Sequence, residues 1–452
     1  MPAESEILFQ SRGCVGLVTL DRGHALNALT HNMVLELSAA LDRWERDPEI
    51  AHVVIRSGDA KAFSAGGDIR DLYESGLKAK HGEGAKPITF FEDEYRLNIR
   101  IKTFPNPYIA LIDGIVMGGG VGVSINGSHR VAGPSIRFAM PEVGIGFFPD
   151  VGATWFLPRL PGETGTYLAL TGARMAQADC CWSGIATQAG DPARFDELVD
   201  ALAASSDTEA VLAEFSVEPE GAATLLPYQD EIGGIFAGEN LLAIEDRLKA
   251  ASQGPWPEAE KAAKAFARMS PTSLAIALRQ MRLGIGCGIA DCMKTEFRIV
   301  SRVLDGDDFY EGIRAQIIDK DRMPVWTPAR LADIDMEEID KYFAPLDEGA
   351  ELVSIAKRCG YRRHEFRTEI DRRTRRADRR RGYQRQADAD LCPFRRHDAA
   401  GGRAFARLPD FRHYARRTEF PDPRHALASG RSGPCVRRHV RGGRTVGRCD
   451  LG

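Results

Sequence analysis

The sequence predicts an α/β protein, with a layered core in its first half and a helical region after it. Two patterns carry this reading. Up to about residue 191, short β-branched runs alternate with stretches of helical apolar spacing, whereas from Pro192 onward only the helical spacing persists. A break in charge composition near residue 350 then sets off an arginine-rich end. The expected divisions are 1–191 for the α/β core, 192–349 for the helical region and 350–452 for the tail.

Val15-Gly16-Leu17-Val18-Thr19-Leu20 is dominated by residues that fit a pleated, buried surface and reads as a strand. Thr30 offers a side-chain oxygen to the first turn of a helix whose apolar residues Met33, Leu37, Leu41 and Trp44 recur on one face. Asp47-Pro48 ends it, because the proline ring disfavours helical backbone in the residue before it. Val53-Val54-Ile55 makes a second strand and Tyr108-Ile109-Ala110-Leu111-Ile112 a third, each followed by a glycine-rich turn. Strand, helix and strand at this spacing imply right-handed crossovers. Further on, Pro271 suits the first turn of a helix carrying Leu274, Leu278 and Met281, and Phe297, Val300, Val303 and Leu304 continue the helical trend.

The chain has 452 residues, enough for two or three domains at roughly 100–200 residues each. Its 43% of hydrophobic residues can fill a large core, and no run approaches the roughly 18 apolar residues of a membrane span. Met1-Pro2-Ala3-Glu4-Ser5-Glu6 is acidic and resembles neither a signal nor a transit peptide, so the expected address is the cytoplasm, with no membrane partner. Nine cysteines include no C-x-x-C pair and no metal-ligand spacing. Cys14, Cys180, Cys181, Cys287 and Cys292 are expected to be reduced structural thiols.

The net charge of −4 conceals a division, for residues 351–452 carry 27 Lys and Arg against 12 Asp and Glu, leaving 1–350 strongly acidic. A run such as Arg372-Arg373-Thr374-Arg375-Arg376 repels itself and buries little, so disorder is expected there. Lys357 is the tail's only lysine, among many Arg, Gly, Ala, His and Pro residues. A GC-rich gene read out of frame would give that composition, and a frameshifted or read-through end is the expected origin. Arginines can hold phosphates non-specifically, but no recognition motif or aromatic platform accompanies them, and nucleic acid is not an expected partner. Assembly into a homo-oligomer is left open.

Three segments could carry chemistry. Ala62-Phe63-Ser64-Ala65-Gly66-Gly67-Asp68-Ile69 and Asp113-Gly114-Ile115-Val116-Met117-Gly118-Gly119-Gly120 each follow a strand. Glycines there let backbone N–H groups converge on one ligand atom, as an oxyanion hole requires, or simply allow tight turns. The third segment, Phe138 to Asp150, sets Glu142 and Asp150 among apolar residues and glycines. Burial there would raise a carboxyl pKa and make a better base; a helix cap and a turn residue are the plainer alternative.

Together and in this order, these segments resemble the crotonase (enoyl-CoA hydratase/isomerase) superfamily. The likeness continues through Leu157-Pro158-Arg159-Leu160, Leu168-Ala169-Leu170-Thr171-Gly172 and Gly184-Ile185-Ala186-Thr187, and runs from about Ile7 to Leu346. It implies a spiral of repeated strand–strand–helix units and an acyl-CoA substrate. The resemblance also implies that Gly67 and Gly119 N–H groups hold the thioester oxygen, with Ala65, Gly66 and Gly118 shaping the substrate channel.

The hydratases place one glutamate two residues after the triple glycine, where this chain has Gly122, and a second at the Pro-Glu site. The chain instead has Asp150 eight residues beyond Glu142, as in the branch that hydrolyses 3-hydroxyisobutyryl-CoA. Phe90-Phe91-Glu92-Asp93-Glu94-Tyr95, Met269-Ser270-Pro271-Thr272-Ser273-Leu274 and Asp308-Phe309-Tyr310-Glu311-Gly312 also match that branch. The branch implies Glu142 as base or nucleophile, Asp150 as its partner, Glu94 lining the acyl pocket, and no metal or redox cofactor. Asp113 departs from the His or Asn usual at its position. An enoyl- or dienoyl-CoA isomerase, and a non-catalytic RNA-binding protein of the same fold, remain as alternatives.

Overall fold

The computed structural model describes residues 5–59 and 61–352. Among the described residues, nine strands form two sheets. The larger has the order β1 (Ile7–Arg12), β2 (Val15–Leu20), β3 (His52–Ser57), β5 (Tyr108–Ile112), β7 (His129–Ala132) and β9 (Gln188–Ala189), parallel except for the β1–β2 hairpin. The smaller pairs β4 (Ala62–Ser64), β6 (Ile115–Met117) and β8 (Arg137–Ala139) in parallel. Three successive turns, β3–β4, β5–β6 and β7–β8, each give one strand to each sheet before a helical segment, while β1 and β2 both join the large sheet; this is the spiral expected.

The large sheet is covered on both faces, so its strands read as near-continuous apolar runs. Val15, Leu17, Val54, Ile109, Leu111 and Val131 face one core, while Val18, Leu20, Val53, Ile55, Ala110 and Ile112 face the other. Leu198, Val199 and Leu202, together with Val211, Leu212 and Phe215, close the first core. Thus two helices of the 192–349 region, Phe195–Ala204 and Thr208–Glu214, lie directly on the sheet. The boundary at 191 marks a change of secondary structure rather than of packing.

The helices form where their caps and faces predict. Thr30 Oγ1 accepts from Met33 N at 3.3 Å to start His31–Trp44, and Ser270 Oγ accepts from Ser273 N at 3.1 Å to start Pro271–Gly284. Strand β1 was not anticipated, because only Ile7 of it is buried. The small sheet was not anticipated either: its strands have three residues each and pair only across long sequence distances.

The disordered tail expected from residue 350 lies outside the described residues from 353 onward. Its first residues are docked. Glu351 pairs with Arg298 at 2.8 Å and accepts from Leu346 N at 3.0 Å, while Leu352 is buried. The Arg298 side chain is 6% exposed, against 21% for Glu351. Removing one partner of a buried pair leaves the other desolvated, so a chain ending at Ala350 should lose about 2 kcal/mol relative to one ending at Leu352. Urea melts of the two truncated proteins measure this, and equal midpoints would show that Glu351 contributes nothing.

Candidate active site

The small sheet builds the site. β4 runs into Ala65-Gly66-Gly67, β6 into Gly118-Gly119, and β8 into Met140-Pro141-Glu142. Because Ala62 pairs with Ile115, and Val116 with Phe138, the three segments leave the same edge of one sheet side by side. Motifs more than twenty residues apart in sequence become neighbours through pairing that no local pattern announces.

Gly66 has φ +114° and Gly118 has φ +45° with ψ −125°, backbone that side-chain-bearing residues rarely adopt. These turns bring the loops together: a Cβ on Gly119 would lie 3.2 Å from Gly67 N, and one on Gly66 would lie 3.7 Å from Gly119 N. Gly119 begins the helix Gly119–Ile125, so its N–H has no intrahelical acceptor. Neither it nor Gly67 N–H donates to another backbone group or side chain among the described residues. Two free donors on adjoining loops are what an oxyanion hole requires. Ala65 takes a different part, because its N–H donates to Leu26 O at 3.0 Å.

Carboxylates flank this gap. A Cβ on Gly118 would sit 3.5 Å from Glu142 Oε1, and one on Gly119 only 2.5 Å from Glu94 Oε1. Glu94, Glu142 and Asp150 are 2%, 6% and 5% exposed, and none has an ion-pair partner among the described residues. Glu94 Oε1 and Glu142 Oε2 are buried without a hydrogen-bond partner among the described residues, which points to a ligand or water. Asp150 Oδ2 accepts from Tyr95 OH at 2.9 Å.

Burial dominates the proton affinities. It pushes Glu142 well above the usual carboxylate range, with Asp150's charge adding to the effect. Asp150 is raised to about 7 by burial, against the Tyr95 hydrogen bond that holds it down. Glu94 is raised by burial and by the charges of Asp150 and Glu296. Next to Asp150 in sequence, Phe147 stacks on Phe148 at 4.5 Å and on Phe91 at 5.6 Å. Phe90 closes the Gly67 side, its Cζ 3.2 Å from where a Cβ there would be.

Sequence reasoning missed four side chains. Tyr95 and Asn98 share the helix Ile88–Lys102 with Glu94; Asn98 lies one turn beyond it, where i,i+4 spacing could have found it. Asn98 is fully buried, and neither amide atom has a partner among the described residues. Gln280 and Glu296 come from Pro271–Gly284 and Ile289–Val303 and hold the loop after Asp150. Their one local signal was a polar residue within an apolar helical face. Asp113 is engaged elsewhere, its Oδ1 accepting from Ser135 N at 2.8 Å.

Known proteins resemble this chain over most of its length. The family model described as enoyl-CoA hydratase/isomerase matches residues 15–343. The mitochondrial 3-hydroxyisobutyryl-CoA hydrolase of Danio rerio is 41% identical over 355 residues, covering 76% of this chain and 91% of that protein. The Homo sapiens protein of that name is 40% identical over 353 residues, covering 76% and 90%. The solved structure of a carnitinyl-CoA dehydratase from Mycobacterium thermoresistibile matches with a TM-score of 0.72 at 37% identity, over 78% of this chain and 100% of that one. The matched span holds both glycine loops, all the buried acids and the helices that brace them, and the chain belongs to the enoyl-CoA hydratase/isomerase family, the crotonases.

Proposed function

We propose that this chain hydrolyses 3-hydroxyisobutyryl-CoA to 3-hydroxyisobutyrate and coenzyme A, a step of valine breakdown. The thioester carbonyl oxygen sits between Gly67 N–H and Gly119 N–H, which polarise it and stabilise the negative charge it gains on attack. Glu142, beside Gly118, takes the proton from the attacking water, or attacks first itself to give a mixed anhydride that water then opens. When the C–S bond breaks, the thiolate leaves with a proton from the Glu142–Asp150 pair. Two adjacent buried carboxyls, both raised above the usual carboxylate range by burial, suit this, since one can be ionised while its neighbour holds a proton. Glu94 faces the acyl group across Gly119. The chemistry calls for side chains, backbone donors and water, with no metal or redox cofactor.

The observation that carries this reading is Gly122. A Cβ there would lie 2.8 Å from both Asn98 Nδ2 and Val151 Cβ, so the position has neither the second acid of a hydratase nor room for one. The relatives named as hydrolases, about 40% identical over about nine-tenths of their length, support the same choice. A cytoplasmic address is part of the proposal, although those relatives are named as mitochondrial; no helix among the described residues is long and apolar enough to cross a membrane.

Wild-type protein should release free thiol from 3-hydroxyisobutyryl-CoA far faster than it hydrates crotonyl-CoA, measured by a thiol trap and by loss of enoyl absorbance. Efficient hydration or isomerisation of enoyl-CoA with no thiol release would overturn the hydrolase reading.

A further inference from the structure

Asp150 stands at the start of an unusual stretch of backbone. Val151 has φ +52°, a conformation that a β-branched residue adopts only under constraint, and Gly152 follows at φ +97°. Five bonds from three distant side chains hold this stretch. Gln280 Nε2 donates to Pro149 O at 3.0 Å and to Thr154 Oγ1 at 2.8 Å. Asn126 Nδ2 donates to Val151 O at 3.1 Å. Glu296 then takes both free N–H groups beyond the strained residue: its Oε2 accepts from Gly152 N at 2.8 Å and its Oε1 from Thr154 N at 2.9 Å.

Glu296 is wholly buried, with no cationic partner among the described residues, in a helix whose neighbouring buried residues are Cys292, Met293, Phe297, Ile299 and Val300. A carboxylate in that place is expensive by burial alone, and a neutral side chain would pack there more readily. Its two oxygens meet two parallel backbone donors, which a glutamine cannot do, since its amide group would turn a donor toward a donor.

We infer that Glu296 is a positioning residue, which holds the strained turn after Asp150 so that the Asp150 carboxyl faces Glu142 and the reacting thioester. Gln280 braces the other end of the same turn. The burial that makes Glu296 costly also raises it to about 8, and Asp150's charge contributes, so the two carboxyls sense each other as well as sharing a loop.

This inference rests on the proposed hydrolase chemistry, in which Asp150 acts. The test is a double-mutant cycle on the full chain, read by single-turnover thiol release from 3-hydroxyisobutyryl-CoA. Glu296→Gln alone should lower kcat by about 10–100-fold, as small displacements of a reacting group do, with KM changed less than about threefold. In an Asp150→Asn background the same change should cost less than about threefold, because the residue it positions no longer performs its task. A Glu296 that only caps a helix and joins two regions would lower kcat equally in both backgrounds, and that result overturns the inference. So does a change below twofold in the otherwise wild-type protein. If Glu296→Gln does not fold, Gln280→Met is taken through the same cycle with the same criteria. If wild-type protein releases no thiol at all, it is the hydrolase reading that fails, and the cycle is then run on whichever acyl-CoA reaction the wild type does catalyse.

Discussion

Glu142→Gln is expected to lower thiol release from 3-hydroxyisobutyryl-CoA by on the order of 10³-fold, the middle of the range for a positioned acid–base group, with KM nearly unchanged. Glutamine keeps the size and one oxygen of the side chain but can neither take a proton from water nor form an anhydride. Glu142 Oε2 has no hydrogen-bond partner among the described residues, so the substitution breaks no bond of that atom there, and the loss is one of chemistry. Stopped-flow turnover with circular dichroism on the same sample separates this from misfolding. A variant within tenfold of wild type would remove Glu142 from the proton-transfer step.

The same substitution should also make the protein more stable above neutral pH. Burial raises the Glu142 pKa in the folded state, so the native protein holds a proton there that the unfolded chain has lost. The associated stability is complete below the ordinary carboxylate range and disappears as pH rises through the raised value. Glutamine has no such loss. Thermal melts should therefore place Glu142→Gln above wild type at pH 8 and show no such advantage at pH 4.

The second large effect is expected at Gly119. Proline is tolerated at the first position of a helix and lacks the N–H, so Gly119→Pro should remove one oxyanion donor while the Gly119–Ile125 helix survives. Its side chain would still press on Glu94 Oε1, 2.5 Å from an ideal Cβ. Gly119→Ala carries the same Cβ and keeps the N–H, so it serves as the reference. Proline should be slower than alanine by about 10²–10³-fold in kcat. Equal rates for the two variants would place the oxyanion donor elsewhere.

How much of this could be read from the sequence depended on whether a signal was local. Strands β2, β3 and β5 were legible because doubly covered strands are unbroken apolar runs, and Thr30 and Ser270 marked helix starts by their caps. Gly66, Gly67, Gly118, Gly119, Glu142 and Asp150 were legible as motifs, and the structure brings Gly66, Gly67, Gly118 and Gly119 to one gap with Glu142 and Glu94 beside it. Strands β4, β6 and β8, which place those motifs side by side, were not legible, since three residues carry no period. Glu296 and Gln280 were missed for a related reason. Each looks like one polar residue on an apolar helix, and only the three-dimensional loop gives it a task.

The bonds that brace Asp150 join residues 131 and 144 positions apart. During synthesis from the N-terminus, the chain through Asp150 emerges well before Gln280 and Glu296 exist. A nascent chain that has reached about residue 190 already contains the strands of both sheets and both glycine loops. It still lacks the braces for the turn that carries Asp150. Long-range contacts of this kind form late because the intervening loop must close first. Folding of this chain should thus proceed in two stages, with the strands and glycine loops synthesised first and the turn at Asp150 braced only after roughly a hundred further residues have been translated and docked.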